Sequence, residues 1–209
     1  MKAVALKQYL PIDEPGSFLD VDLPKPEPTG RDILIAVEAV AVNPVDTKVR
    51  AGRGNEGVIE NPPRVIGWDA SGRVEAVGDA VTLFKSGDEV WYAGDIMRAG
   101  CNSEFQLVDE RIVGRKPKSL NHAEAAALPL TTITAYEAFF DRLGIDRDGA
   151  DKGQSILIIG AGGGVGSIGI QLAKHAGLVA VSYTHLRAHE TLGSIAYAVF
   201  CWNRGGGGG

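Results

Sequence analysis

The 209-residue sequence has only two cysteines, Cys101 and Cys201, and neither has metal-like spacing around it. A disulfide scaffold is therefore excluded, and a reducing, cytoplasmic setting is the expected compartment. No apolar run approaches the roughly 18 residues needed to cross a bilayer, so no membrane role is expected. The N-terminal Met1-Lys-Ala-Val-Ala-Leu-Lys7 is too short and too polar for a secretory leader. Basic residues are outnumbered, 21 Lys and Arg against 26 Asp and Glu, for a formal net charge of -5. A nucleic-acid binder would show clustered Lys and Arg, so that class is set aside. Hydrophobic residues make up 44% of the chain, which fits an ordinary globular protein with a packed core.

What the sequence does hold falls into two patterns. Up to about residue 120 it reads as short Val- and Ile-rich strands bounded by turn residues, over 3–8, 18–22, 32–42, 72–77, 89–92 and 104–108. Pro24-Lys-Pro-Glu-Pro28 reads as an extended connector. The first part is expected to be a compact, barrel-like β domain. Near Ser119 the pattern changes. Asn121 and Glu124 have capping-box spacing and open a helix over 123–127. Pro129 interrupts, and helical spacing resumes over 130–143. The apolar run 155–159, a glycine cluster and an amphipathic stretch over 165–176 then give strand, glycine turn and helix, the opening unit of a dinucleotide-binding sheet.

The glycine cluster carries the chemistry. In Ile158-Ile-Gly160-Ala161-Gly-Gly163-Gly164-Val165-Gly166, small residues at 161, 163 and 166 form an A-x-G-x-x-G variant of the dinucleotide fingerprint. Gly163 lets backbone approach a pyrophosphate, and Gly166 lets helix pack closely on strand. The helix start offers free N–H groups and a positive dipole end to the anion. The pattern gains weight from following a strand and opening a helix.

Several motifs carry a family resemblance over residues 1–180. They are Val42-Asn-Pro-Val-Asp-Thr-Lys48, Ile66-Gly-Trp-Asp-Ala-Ser-Gly72, Val74-Glu-Ala-Val-Gly78, Phe84-Lys-Ser-Gly-Asp-Glu-Val90, Leu128-Pro-Leu-Thr-Thr-Ile-Thr-Ala-Tyr136 and the stretch from Gly163 to Lys174. In this order they resemble the quinone-oxidoreductase and zinc-type alcohol-dehydrogenase-like branch of the medium-chain dehydrogenase/reductase superfamily. The resemblance implies a mixed α/β protein: a GroES-like catalytic β domain over 1–120, then a Rossmann cofactor domain that begins at 121 and is truncated at 180. It implies an oxidoreductase using NADP(H) in preference to NAD(H), acting on a small quinone or α,β-unsaturated carbonyl, in a homodimeric full-length parent.

Zinc-dependent relatives hold a catalytic metal with a Cys and a His. Asn43 and Trp68 take those places here, and neither an amide nor an indole is a zinc ligand. No four-cysteine lobe is present, so no metal is expected. Asn43 is the candidate polar group near substrate, or the cap of the segment 44–50. Asp46 joins it in the candidate catalytic set, orienting Lys48 or backbone rather than acting as a base. Trp68 either lines the substrate cleft or fills the core. The resemblance places the Thr131 and Thr134 hydroxyls near nicotinamide and cofactor phosphates, where they would also serve as ordinary helix-start groups. With Gly160, Ala161, Gly163, Gly164, Val165 and Gly166 they make up the candidate cofactor set.

From Val181 the expected second parallel strand gives way to a different text. Residues 181–191 and 195–201 resemble the translation of sequencing-library adapters, and residues 205–209 are all glycine. The stretch 181–209 is thus expected to be non-native. His185 and His189, four apart, are read as part of it rather than as a metal pair. Two alternatives accompany the enzyme reading: a redox-inactive nucleotide-binding protein and, for the chain as written, an inert fragment.

Overall fold

The structure is a computed structural model. It describes residues 1–52, 54–183 and the backbone of 199–202; His185, His189 and most of the tail lie outside the described residues. The chain forms two compact units, Met1–Leu130 and Thr131–Gly209.

The first unit is built from two antiparallel sheets. Strands β1 (Lys2–Gln8), β2 (Leu19–Asp22) and β4 (Ile59–Val65) form one, in the order β2-β1-β4. Strands β3 (Asp32–Ala41), β5 (Asp69–Val77), β6 (Glu89–Ala93), β7 (Phe105–Asp109) and β8 (Val113–Arg115) form the other, in the order β7-β3-β5-β6-β8. The six expected strands are all present. β4 was not expected, because Pro62 and Pro63 argue against a strand. It is tolerated at the edge of its sheet, where a residue without an N–H breaks no interior ladder. β8 has three residues, too few to show an alternation.

Alternation explains the core. In β7, Gln106 and Val108 point inward while their neighbours are only partly covered. Ile33, Ile35, Ala70, Val74, Val90, Tyr92, Cys101 and Val108 form the main cluster. A second cluster gathers Leu6, Ile66 and Trp68, with Tyr9, Val45 and Val49 packed against it. The Val45 and Val49 contacts bring helix α1 (Pro44–Ala51) onto the β framework. Buried Glu110 accepts the backbone N–H groups of Thr82 and Leu83, at 2.8 and 2.7 Å, and a guanidinium N–H of Arg31 at 2.7 Å.

Helix α2 (His122–Ala126) has the expected capping box. Glu124 N–H donates to Asn121 Oδ1, and Asn121 N–H donates to Glu124 Oε2, both at 2.9 Å. It packs on β3 and β5, and the His122 ring nitrogen Nδ1 lies 2.8 Å from Ser71 Oγ. Helix α3 (Pro129–Tyr136) starts on Pro129, whose missing N–H costs nothing in a first turn. A π-helical turn over Glu137–Arg142 continues it.

The second unit contains strand β9 (Ser155–Ile159), helix α4 (Gly164–His175) and strand β10 (Val179–Tyr183), which pairs with β9 in parallel. β10 runs three residues beyond Ala180, so the backbone ladder continues where the sequence reading ended the native strand. Strand β11 (Val199–Trp202) pairs with the other edge of β9, antiparallel. Ile156, Ile158, Ala173, Ala176 and Leu178 form the core with Phe139 and Ile145. Among the described residues, no helix is long and apolar enough to cross a membrane.

Candidate functional site

Each unit carries one half of the candidate set. In the second, the turn between β9 and α4 begins at Gly160, whose φ of 73° is a conformation that favours glycine. Gly163 N–H then donates to the Gly160 carbonyl at 3.0 Å, closing the turn. Gly163 is the N-cap of α4, and no side chain caps the helix there. The first N–H groups of α4, on Gly164, Val165 and Gly166, are therefore left for an anion.

Two glycines in this turn are required by close approach. A Cβ on Gly166 would stand 2.6 Å from both Ala161 Cα and the Gly160 carbonyl oxygen. Helix and strand touch there through bare backbone, as the fingerprint expects. A Cβ on Gly164 would stand 3.0 Å from Thr131 Cγ2, so Thr131 lies against the turn while Thr134 is exposed on α3. A Cβ on Gly163 would meet only the Gly160 oxygen, at 3.4 Å, and Gly162 faces open space. These two glycines are not demanded by packing. The uncapped helix start and the bare surface before it fit a pyrophosphate group.

In the first unit, Asn43 and Asp46 flank the start of α1. Asp46 Oδ2 accepts the Asn43 backbone N–H at 2.6 Å. Asp46 thus orients backbone, one of its two expected roles. Its other oxygen, Oδ1, is buried without a hydrogen-bond partner. Burial pushes the Asp46 carboxyl up from its ordinary range, against the backbone N–H bonds that pull it down.

Asn43 and Asp46 stand in a capping-box arrangement at the start of α1, although the Asn43 side chain makes no cap hydrogen bond of its own. Its Nδ2 donates to Asp69 Oδ2 at 2.7 Å. Asp69 is wholly buried at the start of β5, and its Oδ1 accepts the Leu130 backbone N–H at 2.8 Å. Burial and, less strongly, the Asp46 charge push the Asp69 carboxyl up to about 6, while the Asn43 and Leu130 bonds pull it back. Asp69 was not among the sequence candidates. It stood in a quoted motif, Gly67-Trp-Asp69, but nothing in that string shows burial.

Trp68 is in the core. Its ring is 2% exposed and its Nε1–H donates to the Asp95 carbonyl at 3.1 Å. The packing supports the second of its two expected roles. Cys101 is fully buried, with its Sγ 3.4 Å from the Asp69 carbonyl oxygen. Burial first, then the charge of Asp46, pushes its thiol up to about 12.

Residues 29–118 match the alcohol dehydrogenase GroES-like domain. The chain is 42% identical over 183 residues to a zinc-type alcohol dehydrogenase-like protein of Staphylococcus epidermidis, covering 87% of this chain and 53% of that protein. It is 41% identical over 184 residues to a 2-methylene-furan-3-one reductase of Solanum lycopersicum, covering 84% and 44%. Among solved structures it resembles a candidate zinc-dependent alcohol dehydrogenase of Rhizobium etli CFN 42, at 55% identity and a TM-score of 0.79, covering 87% of this chain and 52% of that one. It also resembles a mycobacterial protein complexed with NADPH, at 30% identity and a TM-score of 0.69, covering 87% and 52%. These matches support membership of the medium-chain dehydrogenase/reductase superfamily. The chain spans about half the length of the curated relatives it matches. As expected of this superfamily, a GroES-like β unit precedes a Rossmann-type strand-turn-helix.

Proposed function

We propose that the full-length protein is a zinc-independent oxidoreductase that uses NADP(H) in preference to NAD(H) to reduce a quinone or an α,β-unsaturated carbonyl. The uncapped start of α4, with Gly166 seated on the bare backbone of Ala161 and Gly160, carries the reading. That turn would receive the pyrophosphate through the N–H groups of Gly164, Val165 and Gly166, with Thr131 beside it. When bound, the dinucleotide supplies a hydride to the electron-poor β-carbon of the substrate. The NADPH complex of the mycobacterial relative supports the choice of cofactor, and the tomato furanone reductase supports an enone.

The residues at the zinc-ligand places do not fit a metal. The Asn43 amide nitrogen is a donor already engaged by Asp69, and the Trp68 indole is buried and donates to Asp95. An enone needs no Lewis acid. Negative charge grows on its carbonyl oxygen as the β-carbon accepts the hydride, and a preorganised N–H can hold that oxygen. Asn43 Nδ2 has a second hydrogen beyond the one given to Asp69, and we assign it this role. Water then delivers the proton to the α-carbon.

The test is oxidation of NADPH by the full-length protein with a small enone and with a benzoquinone, followed at 340 nm, with the saturated ketone identified as product. NADPH binding without oxidation by either acceptor would favour the redox-inactive alternative instead.

A further inference from the structure

We propose that Asp69 is a positioning residue that fixes which way the Asn43 amide faces. The inference rests on the oxyanion role proposed for Asn43.

Asp69 is wholly buried, yet both of its oxygens are committed to N–H donors from different elements. Oδ2 takes the Asn43 side chain before α1, and Oδ1 takes the Leu130 backbone in α3. An amide has two faces of opposite polarity, and a buried Asn that can choose its partner can flip. A carboxylate removes the choice, because it only accepts. With Asp69 ionised, Nδ2 must face Asp69 and Oδ1 must face away. The Leu130 bond holds the carboxylate from its other side, so it cannot turn to follow a flipped amide.

The same geometry separates positioning from mere structural pairing. In Asp69→Asn, the new Oδ1 can still accept from Leu130, and the new Nδ2 then points at Asn43. The Asn43 amide can flip to accept that bond, so the hydrogen-bond count survives while the polarity shown to substrate reverses. In Asn43→Asp combined with Asp69→Asn, both bonds also survive, with the donor and acceptor exchanged. A structural pair would be restored by that exchange. A positioned donor would not, because residue 43 no longer donates.

The experiment measures the full-length protein and these two variants four ways. In wild type, nitrogen-15 spectra should show an Asn43 side-chain amide that moves with a titration near 6; Asp46 is the other titratable group acting on Asp69, and the Asp69 charge in turn acts on the buried Cys101 thiol. In Asp69→Asn that titration should vanish. Both variants should fold cooperatively, and NADPH affinity should be unchanged. Turnover of an enone should fall on the order of 100-fold in Asp69→Asn and stay low in the exchanged double variant. Full turnover in Asp69→Asn, or its recovery in the double variant, would overturn the inference, as would an Asn43 amide indifferent to the titration. A wild-type amide that follows Asp69 in a protein reducing no enone or quinone would support the tether and overturn the proposed function instead.

Discussion

Gly166 and Ala161 meet backbone to backbone, so close that a single added methyl on Gly166 would stand 2.6 Å from Ala161 Cα. Gly166→Ala must therefore push α4 off β9 or distort the turn. Overpacking of this kind costs about 1–3 kcal/mol. The variant should lose both thermal stability and NADPH binding, measured by scanning calorimetry and by titration. Unchanged values for both would show that the turn is laxer than its geometry implies.

Gly163 provides the contrast. Its added Cβ would meet only one oxygen at an ordinary 3.4 Å, and its φ of -79° is open to any residue. Gly163→Ala should therefore fold normally. It should nevertheless weaken NADPH, because the methyl would occupy the approach of the pyrophosphate to the backbone. Equal stability with at least a tenfold weaker affinity is the expected pair of results; wild-type affinity would put the phosphates elsewhere.

The Asp69 carboxyl gives a pH dependence whose sign can be fixed. Its pKa in the folded protein, about 6, lies above the ordinary carboxylate value, so the folded state holds the proton more tightly than the unfolded chain. The stabilisation from this group is complete below the ordinary carboxylate range and is lost as pH rises through about 6. Asp46 is shifted in the same direction. Urea denaturation at pH 5 and pH 7.5, compared between wild type and Asp69→Asn, isolates the effect. Wild type should lose roughly 1.4 kcal/mol relative to the variant over that interval. Enone turnover should move the other way, rising through pH 6 as Asp69 ionises and holds Asn43. Parallel pH profiles of stability for the two proteins would contradict the shift.

Trp68→Phe distinguishes core from cleft. The substitution keeps a large ring among Leu6 and Ile66 but forfeits the Nε1–H bond to Asp95. A stability loss of about 1–2 kcal/mol is expected, with KM for the enone unchanged. A raised KM without a stability loss would return Trp68 to the substrate site.

Asn43 and Trp68 also predict the metal content. Protein purified without chelator should contain no stoichiometric zinc by elemental analysis. One tightly held zinc per chain would contradict that expectation.

The strand, turn and helix of the second unit were legible because their signals are local. A short apolar run, glycines at fixed offsets and an amphipathic stretch lie within about twenty consecutive residues, and β9 and α4 fall where those signals put them. The β unit was legible wherever Val and Ile alternate. β4 was hidden because Pro62 and Pro63 speak against a strand, and only its place at a sheet edge makes them harmless. Asp69 was hidden for a different reason. Its meaning depends on Leu130, sixty-one positions away, and on the surroundings that bury it. The direction of the Asn43 amide, likewise, is set by a partner that spacing alone cannot reveal.

The buried Cys101 bears on how such a protein could survive its own chemistry. An α,β-unsaturated carbonyl is a soft electrophile, and its ordinary fate near an accessible thiolate is conjugate addition to sulfur. Cys101 is fully covered and its thiol is pushed up to about 12, so at neutral pH it stays protonated and out of reach. The sulfur beneath Asp69 would therefore not be alkylated by the substrate class proposed for the site.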